Sequence, residues 1–266
     1  MTVEEQRHAF RRLHEAGTFV MPNPHDVGTA RLLGALGFPA LATTSGGFAA
    51  SLGRLDMTIT RDELVDHAFA ICSATALPVN IDAEQCYPDD DGGVSETVRL
   101  LGAAGASGCS IEDWNPALGA IEDVRVATER VRDAATVADA LGIVLTARAE
   151  NHLRGHDNLD DTIARLCAFR DAGAHCVYAP ALVDLGAIER VVRETGTAVN
   201  VLLMPNGPTV AELTSIGVRR ISIGGGLARV AYGAFVRAAE YLLTAGTYEV
   251  SAPFLDRSIA SAAFGR

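Results

Sequence analysis

The chain has 266 residues, of which 33 are acidic and 22 are basic, and its formal charge is −11. This acidic balance argues against nucleic acid or an anionic membrane as a partner, because both bind basic surfaces. All 22 basic residues are arginines, which rules out Schiff-base enzymes and P-loop proteins, since both require a lysine.

The cysteines indicate a reducing compartment. None of the five forms a Cys-x-x-Cys pair, and no apolar targeting stretch precedes the first predicted strand. No run of apolar residues is long enough to cross a membrane. We therefore expect a cytoplasmic protein that is not inserted in a membrane.

Short apolar runs alternate with amphipathic stretches along the chain, and no linker is long enough to separate two domains. Eight strands are predicted, at residues 19–22, 40–45, 77–84, 108–113, 143–150, 176–180, 198–203 and 219–224. Helices are predicted between them, with the clearest apolar spacing at residues 61–75, 95–105, 160–173 and 185–194. We predict one α/β domain over residues 1–266 with the (β/α)8 TIM-barrel fold. A doubly wound open sheet is the alternative.

Polar side chains follow the predicted strands, at the end of a barrel where active sites form. Asp82 and Glu84 are two residues apart and so share one face of their strand, as do Arg148 and Glu150 two strands further on. Together with Glu112, these carboxylates are suited to Mg²⁺ or Mn²⁺, which bind oxygen ligands. The alternative is an ion-pair network of Asp82, Glu112 and Arg148 that joins neighbouring strands.

A second group of residues is suited to binding a small anion. Arg148 can hold a carboxylate with two N–H groups, while Ser45, Gly46 and Gly47 offer a hydroxyl and unobstructed backbone N–H groups. The two glycines are equally compatible with an ordinary tight turn. A metal ion facing this anion site would stabilise the enolate of a 2-oxo acid, which defines a class of reaction.

Four motifs at strand ends resemble the isocitrate lyase/phosphoenolpyruvate mutase superfamily in order and spacing. They are Leu-Ala-Thr-Thr-Ser-Gly-Gly at 41–47 with Ser-Leu-Gly-Arg-Leu-Asp at 51–56, Asp-Ala-Glu at 82–84, Ile-Glu-Asp at 111–113, and Thr-Ala-Arg-Ala-Glu at 146–150. The resemblance covers residues 15–245. It implies a Mg²⁺-dependent barrel enzyme that makes or breaks a C–C or P–C bond next to an enolpyruvate-like intermediate.

The resemblance also implies roles for individual residues. The metal site would be formed by Asp82, Glu84 and Glu112, with the two glutamates acting largely through water. Asp56 matches an aspartate at the edge of that water network, so the candidate catalytic groups are Arg148, Glu112 and Asp56. The substrate would be bound by Thr44, Ser45, Gly46, Gly47, Arg148 and Asn200.

Members of this superfamily tend to exchange their eighth helix between the subunits of dimers and tetramers. Residues 227–243 match that helix, and the tail from about residue 245 would extend the contact. The resemblance therefore implies a homodimer or a homotetramer.

The loop after the fourth strand departs from the superfamily. Members that cleave isocitrate or methylisocitrate carry a Lys-x-Cys-Gly-His signature there, with the cysteine as proton donor. Residues 114–121 contain no lysine, cysteine or histidine, and Pro180 replaces the usual glutamate after the sixth strand. Asn115 could imitate the lid asparagine of the mutase, although its spacing differs. We therefore predict that this is not a standard isocitrate or methylisocitrate lyase.

The leading prediction is a Mg²⁺- or Mn²⁺-dependent C–C lyase or decarboxylase. Its substrate would be a small 2-oxo or 2-hydroxy dicarboxylate, and its product pyruvate or a related 2-oxo acid. One alternative is P–C bond chemistry on phosphoenolpyruvate or phosphonopyruvate. Another is a protein that binds 2-oxo acids without catalysis.

Overall fold

The computed structural model describes residues 1–247 and 254–265, and its centre is a barrel of eight parallel strands. Within the described residues ten strands occur, of which the fifth and sixth form a separate antiparallel hairpin. Their bounds are β1 (Phe19–Met21), β2 (Leu41–Ala42), β3 (Val79–Asp82), β4 (Gly108–Glu112), β5 (Trp114–Asn115), β6 (Ala120–Ile121), β7 (Val144–Arg148), β8 (Cys176–Tyr178), β9 (Ala198–Leu202) and β10 (Arg220–Ser222).

The eight barrel strands are ordered β1-β10-β9-β8-β7-β4-β3-β2, and each is parallel to the next. Between β1 and β2, the Ala42 N–H donates to the Pro22 carbonyl at 3.1 Å. The Asn23 side-chain amide donates to the Thr43 carbonyl at 2.9 Å across the same gap. The predicted TIM barrel is therefore confirmed.

Helices surround the barrel, and several begin at a capping side chain. Thr60 accepts the Glu63 N–H while the Glu63 carboxylate accepts the Thr60 N–H, and Thr209 and Glu212 repeat this exchange. A short 3-10 turn (His152–Arg154) follows β7. The helix bounds are α1 (Val3–Glu15), α2 (Val27–Ala35), α3 (Ser45–Ser51), α4 (Arg61–Ala74), α5 (Gly93–Ala103), α6 (Val124–Leu141), α7 (Leu159–Asp171), α8 (Leu185–Thr195), α9 (Val210–Ser215), α10 (Gly226–Ala245) and α11 (Arg257–Phe264).

The barrel interior contains a buried arginine below the carboxyl ends of the strands. Arg220 is 2% exposed and donates to Asn200 Oδ1 at 2.9 Å and to Thr146 Oγ1 at 2.8 Å. Its Nη1 lies 3.3 Å from His14 Nε2. These polar partners replace the water that the guanidinium loses on burial.

The strands are shorter than predicted, because their last predicted residues turn away from the sheet. Thr44, predicted to lie in a strand, caps α3 instead, and its hydroxyl accepts the Gly47 N–H at 3.4 Å. Glu84, also predicted to lie in a strand, comes after the end of β3 with a φ of 51°. The expectation that Asp82 and Glu84 share a strand face was therefore wrong, since the strand ends at Asp82.

Helix α10 agrees with the predicted helix 227–243, and most of its apolar surface is exposed. Within this helix Ala228 alone is buried, while Phe235 is 73% and Leu243 is 87% exposed. Of the predicted tail, α11 packs against α2 of the same chain, and residues 248–253 and 266 lie outside the described residues. Across residues 1–247 and 254–265, the helices are too short or too polar to cross a membrane.

Candidate active site

A cavity of about 360 Å³ opens at the carboxyl ends of the barrel strands. Four adjacent strands, β3, β4, β7 and β8, each end on a side chain that lines it: Asp82, Glu112, Arg148 and Tyr178. Eight of the predicted site residues therefore line one cavity, namely Thr44, Ser45, Gly46, Gly47, Asp56, Asp82, Glu112 and Arg148.

Arg148 lies at the centre of an ion-pair network. Its Nη1 donates to Asp82 Oδ1 at 2.9 Å, and its Nε and Nη2 donate to Glu150 Oε1 at 3.1 and 2.7 Å. Nη2 also lies 3.2 Å from Glu112 Oε2. These contacts use the Nε–H, one Nη1–H and both Nη2–H groups, so among the described residues only one guanidinium N–H is left for a ligand. The network considered as an alternative to a metal site is therefore present.

Asp82 is held in one orientation by neighbouring strands and loops. Its Oδ2 accepts the backbone N–H and the hydroxyl of Ser45, both at 3.1 Å, and its Oδ1 also accepts the Ser110 hydroxyl at 3.3 Å. The Thr43 hydroxyl accepts the Asp82 N–H at 2.9 Å. Such partners orient a carboxylate for ligand binding.

Carboxylates outnumber guanidinium groups around the cavity. Burial, reinforced by Asp82 and Asp56, raises the pKa of Glu84 to about 8. Burial also raises the pKa of Glu112 well above its usual range, although Arg148 opposes the shift. Burial without a cation therefore disfavours the charged form of both carboxyl groups. The carboxylates around the cavity are those of Asp56, Asp82, Glu84, Glu112 and Glu150. The guanidinium groups there are those of Arg148, Arg154 and Arg229.

The donor atoms fit a hydrated divalent cation. Three buried oxygens, Glu84 Oε1, Glu112 Oε1 and Glu150 Oε2, have no hydrogen-bond partner among the described residues. Carboxylate oxygens of this kind suit Mg²⁺ or Mn²⁺, which keep several waters. In the part of the chain that the structure describes, no group of three or more acidic, histidine or cysteine side chains is placed to hold a metal ion directly. Binding largely through water, which the resemblance implies, does not require such a group.

Gly46 and Gly47 lie in the first turn of α3, where they permit close packing against the cavity. A Cβ on Gly47 would lie 2.5 Å from Thr44 Cγ2 and 3.0 Å from His25 Cβ. A Cβ on Gly46 would lie 3.1 Å from the Asp56 carboxyl group. The glycines therefore form part of a helix rather than the tight turn considered as the alternative.

Two predicted site residues do not contribute to the cavity lining. Asn200 lies deeper in the barrel, where its amide donates to Ser222 Oγ at 3.0 Å and its Oδ1 accepts from Arg220. Glu84 is buried, and its φ is positive, as are those of Cys86 and Tyr87. Left-handed backbone at residues other than glycine is costly and concentrates at functional sites. The Glu84 carboxyl is therefore buried next to this strained loop and outside the cavity lining.

Arg154 and Trp114 are site residues to which no motif in the sequence pointed. Arg154 lines the cavity, and its guanidinium carbon lies 3.9 Å from the centre of the Trp114 ring. Arg154 Nε lies 3.4 Å from Glu150 Oε2, and its Nη2 lies 3.8 Å from Glu112 Oε1. The four-residue spacing of Glu150 and Arg154 was a usable signal, because side chains so spaced in a helical turn are neighbours.

Comparison with known proteins gives consistent matches. A family model described as phosphoenolpyruvate phosphomutase matches residues 10–243. A Burkholderia cenocepacia crystal structure, provisionally described as a lyase/mutase, is 46% identical with a TM-score of 0.91, covering 97% of this chain and 95% of that one. An uncharacterized protein of Mycobacterium tuberculosis is 32% identical, covering 81% of each chain. An oxaloacetate decarboxylase of Rhodopseudomonas palustris is 31% identical, covering 80% of this chain and 74% of that protein.

Proposed function

This chain belongs to the phosphoenolpyruvate phosphomutase family, within the isocitrate lyase/phosphoenolpyruvate mutase superfamily, and we propose that it is a Mg²⁺- or Mn²⁺-dependent lyase or decarboxylase. Its substrate would be a small 2-oxo or 2-hydroxy dicarboxylate, and its product pyruvate or a related 2-oxo acid. The proposal is carried by the excess of buried carboxylates, some with unpartnered oxygens, around Arg148 at the cavity.

The metal would be held by Asp82, and by Glu84 and Glu112 largely through water. When bound, it supplies positive charge beside the substrate's 2-oxygen, where negative charge develops as the bond to the leaving group breaks. Ser45 keeps the Asp82 carboxylate in place through its N–H and its hydroxyl. Glu84 and Glu112 would take part as carboxylates, because carboxyl groups bind metals in the deprotonated form.

The substrate would be bound by the free N–H of Arg148 and by the Gly46 N–H in the first turn of α3, because the Ser45 N–H and hydroxyl already donate to Asp82 and the Gly47 N–H to Thr44. Glu112 lines the cavity and its Oε1 has no hydrogen-bond partner among the described residues, so with the metal bound its carboxylate can pass a proton from water to the reacting carbon. Asp56 lies at the cavity against Gly46 and can order water there. Arg148, Glu112 and Asp56 are thus assigned to substrate binding, proton transfer and water ordering.

Decarboxylation requires fewer catalytic groups in this site than C–C cleavage of a 2-hydroxy acid does. The lining that the structure describes contains no lysine, cysteine or histidine, and it includes Pro180 after β8. Cleavage of a 2-hydroxy acid requires a base to remove the hydroxyl proton, whereas loss of CO₂ from a 2-oxo diacid requires only stabilisation of the enolate and a later proton. The similarity to an oxaloacetate decarboxylase supports the same choice.

P–C bond chemistry is the second candidate. Three arginines line the cavity, Arg148, Arg154 and Arg229, and guanidinium groups bind phosphonate oxygens as well as carboxylates. The family description, phosphoenolpyruvate phosphomutase, points the same way. A non-catalytic 2-oxo acid binder would keep these contacts and show no turnover.

Proton and phosphorus NMR of the purified protein with Mg²⁺ tests the proposal. The panel contains oxaloacetate, substituted malates, isocitrates, phosphoenolpyruvate and phosphonopyruvate. Asp82→Ala removes the best-anchored metal-site carboxylate and should lower metal-dependent turnover by about 100-fold or more. Asp91→Ala, in an exposed loop, is the matched control and should keep the activity.

The outcomes separate the candidates. A 2-oxo acid that forms only with the intact protein supports the lyase or decarboxylase, whereas a new phosphorus signal supports P–C chemistry. Tight metal-dependent binding without turnover supports the non-catalytic binder. Unchanged activity of metal-saturated Asp82→Ala would show that the site is wrongly assigned.

A further inference from the structure

The cavity contains a second arginine that the proposed chemistry leaves unused. Arg154 ends the 3-10 turn after β7, and its guanidinium carbon lies 3.9 Å from the centre of the Trp114 ring. Stacking on an aromatic ring fixes the plane of a guanidinium group and leaves its N–H edge free. The hairpin formed by β5 and β6 supplies this ring, because Trp114 is the first residue of β5.

Arg154 retains free hydrogen-bond donors. Its contacts with the Glu150 and Glu112 carboxylates, at 3.4 and 3.8 Å, are longer than the ~3.2 Å limit of a good N–H···O hydrogen bond. Its Nε is buried and has no hydrogen-bond partner within the described residues. Arg148, in contrast, has only one N–H without a partner in the described parts of the chain. Arg154 is therefore the better donor for a second anionic group.

Arg154 and the anion site at residues 45–47 lie at different points of the cavity mouth. Residues 45–47 follow β2, whereas Arg154 follows β7, and β3 and β4 lie between those strands in the barrel. The same cavity is lined by both. A ligand with two carboxylates offers one group for each of these places, whereas a monocarboxylate offers only one.

We propose that Arg154, held flat on Trp114, binds the second carboxylate of the substrate and gives the site its preference for dicarboxylates over monocarboxylates. The inference rests on the proposed function, since it assumes that the first carboxylate binds at residues 45–47 and Arg148. Trp114 is a positioning residue, because it orients Arg154 and does not line the cavity.

The test compares the binding of L-malate and L-lactate by isothermal titration calorimetry with Mg²⁺ present. The two ligands share a 2-hydroxycarboxylate group and differ by one carboxylate. The wild-type protein should bind malate more tightly. Arg154→Gln should weaken malate binding about 10- to 100-fold and leave lactate binding unchanged. Arg154→Lys keeps the charge without the planar fork and should recover part of the loss.

Matched variants distinguish a binding role from a structural one. Arg125→Gln removes an arginine whose side chain is 87% exposed, and it should keep the malate preference. Trp114→Phe should keep most of the preference, whereas Trp114→Ala should lose part of it, because alanine offers no surface for stacking. Lactate binding is the folding control, since a misfolded variant loses both ligands.

Each contrary result has a distinct meaning. If Arg154→Gln keeps the wild-type preference, the inference is overturned and the proposed function stands. The same holds if Arg229→Gln, and not Arg154→Gln, abolishes the preference, or if the wild-type protein turns over a panel substrate but binds malate and lactate equally. A wild-type protein that binds neither ligand and turns over no substrate overturns both.

Discussion

His67 on α4 is a buried imidazole held in its neutral form. Its ring stacks on that of Phe48 with centres 3.7 Å apart, and its Nε2 has no hydrogen-bond partner among the described residues. Burial lowers the pKa of His67 to about 4, and Asp26 offsets only part of this effect. The folded protein therefore keeps this side chain neutral at pH values where the unfolded chain protonates it.

We expect acid to destabilise the protein through His67. Between pH 6.5 and about 4 the unfolded chain binds a proton that the folded chain does not, so the free energy of unfolding falls as the pH falls. The loss from pH 7 to pH 5 should be about 2 kcal/mol. His67→Phe keeps the ring stack and should remove this component, as measured by urea unfolding at both pH values. The exposed His8→Gln is the control, and equal pH dependence in His67→Phe and wild type would contradict the assignment.

Gly47→Ala should damage both stability and activity. The added Cβ would meet Thr44 Cγ2 at 2.5 Å, so α3 must shift and Ser45 with it. We expect a loss of about 1–3 kcal/mol in the free energy of unfolding and a clear fall in turnover. Gly186→Ala, whose Cβ would come no closer than 3.4 Å to Asp184, is the control. Normal thermal unfolding and turnover of Gly47→Ala would show that α3 tolerates the shift.

The sequence reveals which side chains form the site, but not how those side chains contact one another. Asp82, Glu112 and Arg148 are conspicuous, because charged residues at the ends of buried strands need a reason to be there. The stacking of Arg154 on Trp114 joins two loops far apart in the chain, and no local pattern encodes such a pair. The ion pairs that occupy most of Arg148 are likewise visible only in three dimensions.

Asn115, in the hairpin after β4, makes its hydrogen bonds to residues of that hairpin and of the segment just after it. Asn115 Nδ2 donates to Glu122 Oε1 at 2.6 Å, and its Oδ1 accepts the backbone N–H groups of Ala117 and Leu118 at 2.9 and 3.0 Å. These contacts close the turn that presents Trp114. They favour a structural role over the lid role that Asn115 could have imitated.

Asn115→Ala should therefore loosen the hairpin rather than remove a catalytic group. We expect Tm to fall by about 2–4 °C, since roughly 1 kcal/mol of hydrogen bonding is lost. KM should rise because Trp114 is less well held, and kcat should change little. Thermal unfolding and steady-state kinetics measure these changes. A large loss of kcat at an unchanged Tm would instead mean that Asn115 acts on the substrate.

Element boundaries were predicted well where the pattern is regular and less well at the site. The helix expected at 185–194 is Leu185–Thr195 in the structure. Residues 43–45 and 83–84 were assigned to strands, although the chain there turns to form a cap and a strained loop. The apolar pattern of a sequence identifies a buried strand. It does not identify the residue at which that strand ends and the site residues begin.

The exposed apolar surface of helix α10 indicates the oligomeric state of the protein in solution. Its apolar residues Val230, Phe235 and Leu243 are 66%, 73% and 87% exposed. Apolar surface on this scale is typical of a protein interface, so we expect a homodimer or homotetramer in which a second copy covers α10. The arrangement of helices between subunits remains a prediction.

Phe235→Asp should dissociate that oligomer, because a buried unpaired charge at the contact is costly. Light scattering coupled to gel filtration should show a lower mass for Phe235→Asp than for the wild type. Val126→Asp, at an exposed apolar position on α6, should not change the mass. A monomeric wild-type protein at micromolar concentration would contradict the expectation.

The barrel fold could be predicted from eight alternating strand and helix patterns in the sequence, although each of these patterns is weak alone. The reaction is harder to predict, because the loop at 114–121, where related lyases carry their signature, is a short hairpin here. This hairpin contributes the Trp114 ring on which Arg154 stacks, and that contact forms only when the barrel has folded.

The gap between β1 and β2 makes the hydrogen-bonded sheet a ribbon with two ends rather than a continuous ring. The gap is spanned by the Ala42 N–H and by Asn23, whose Oδ1 also accepts the N–H groups of Ile223 and Gly224 at 2.9 Å each. Local opening should begin there, so the Ala42 amide should exchange with deuterium before that of Ile81. Because Thr44 follows two residues later, each opening would loosen the cap of α3, and ligand binding at residues 45–47 should slow exchange across this gap.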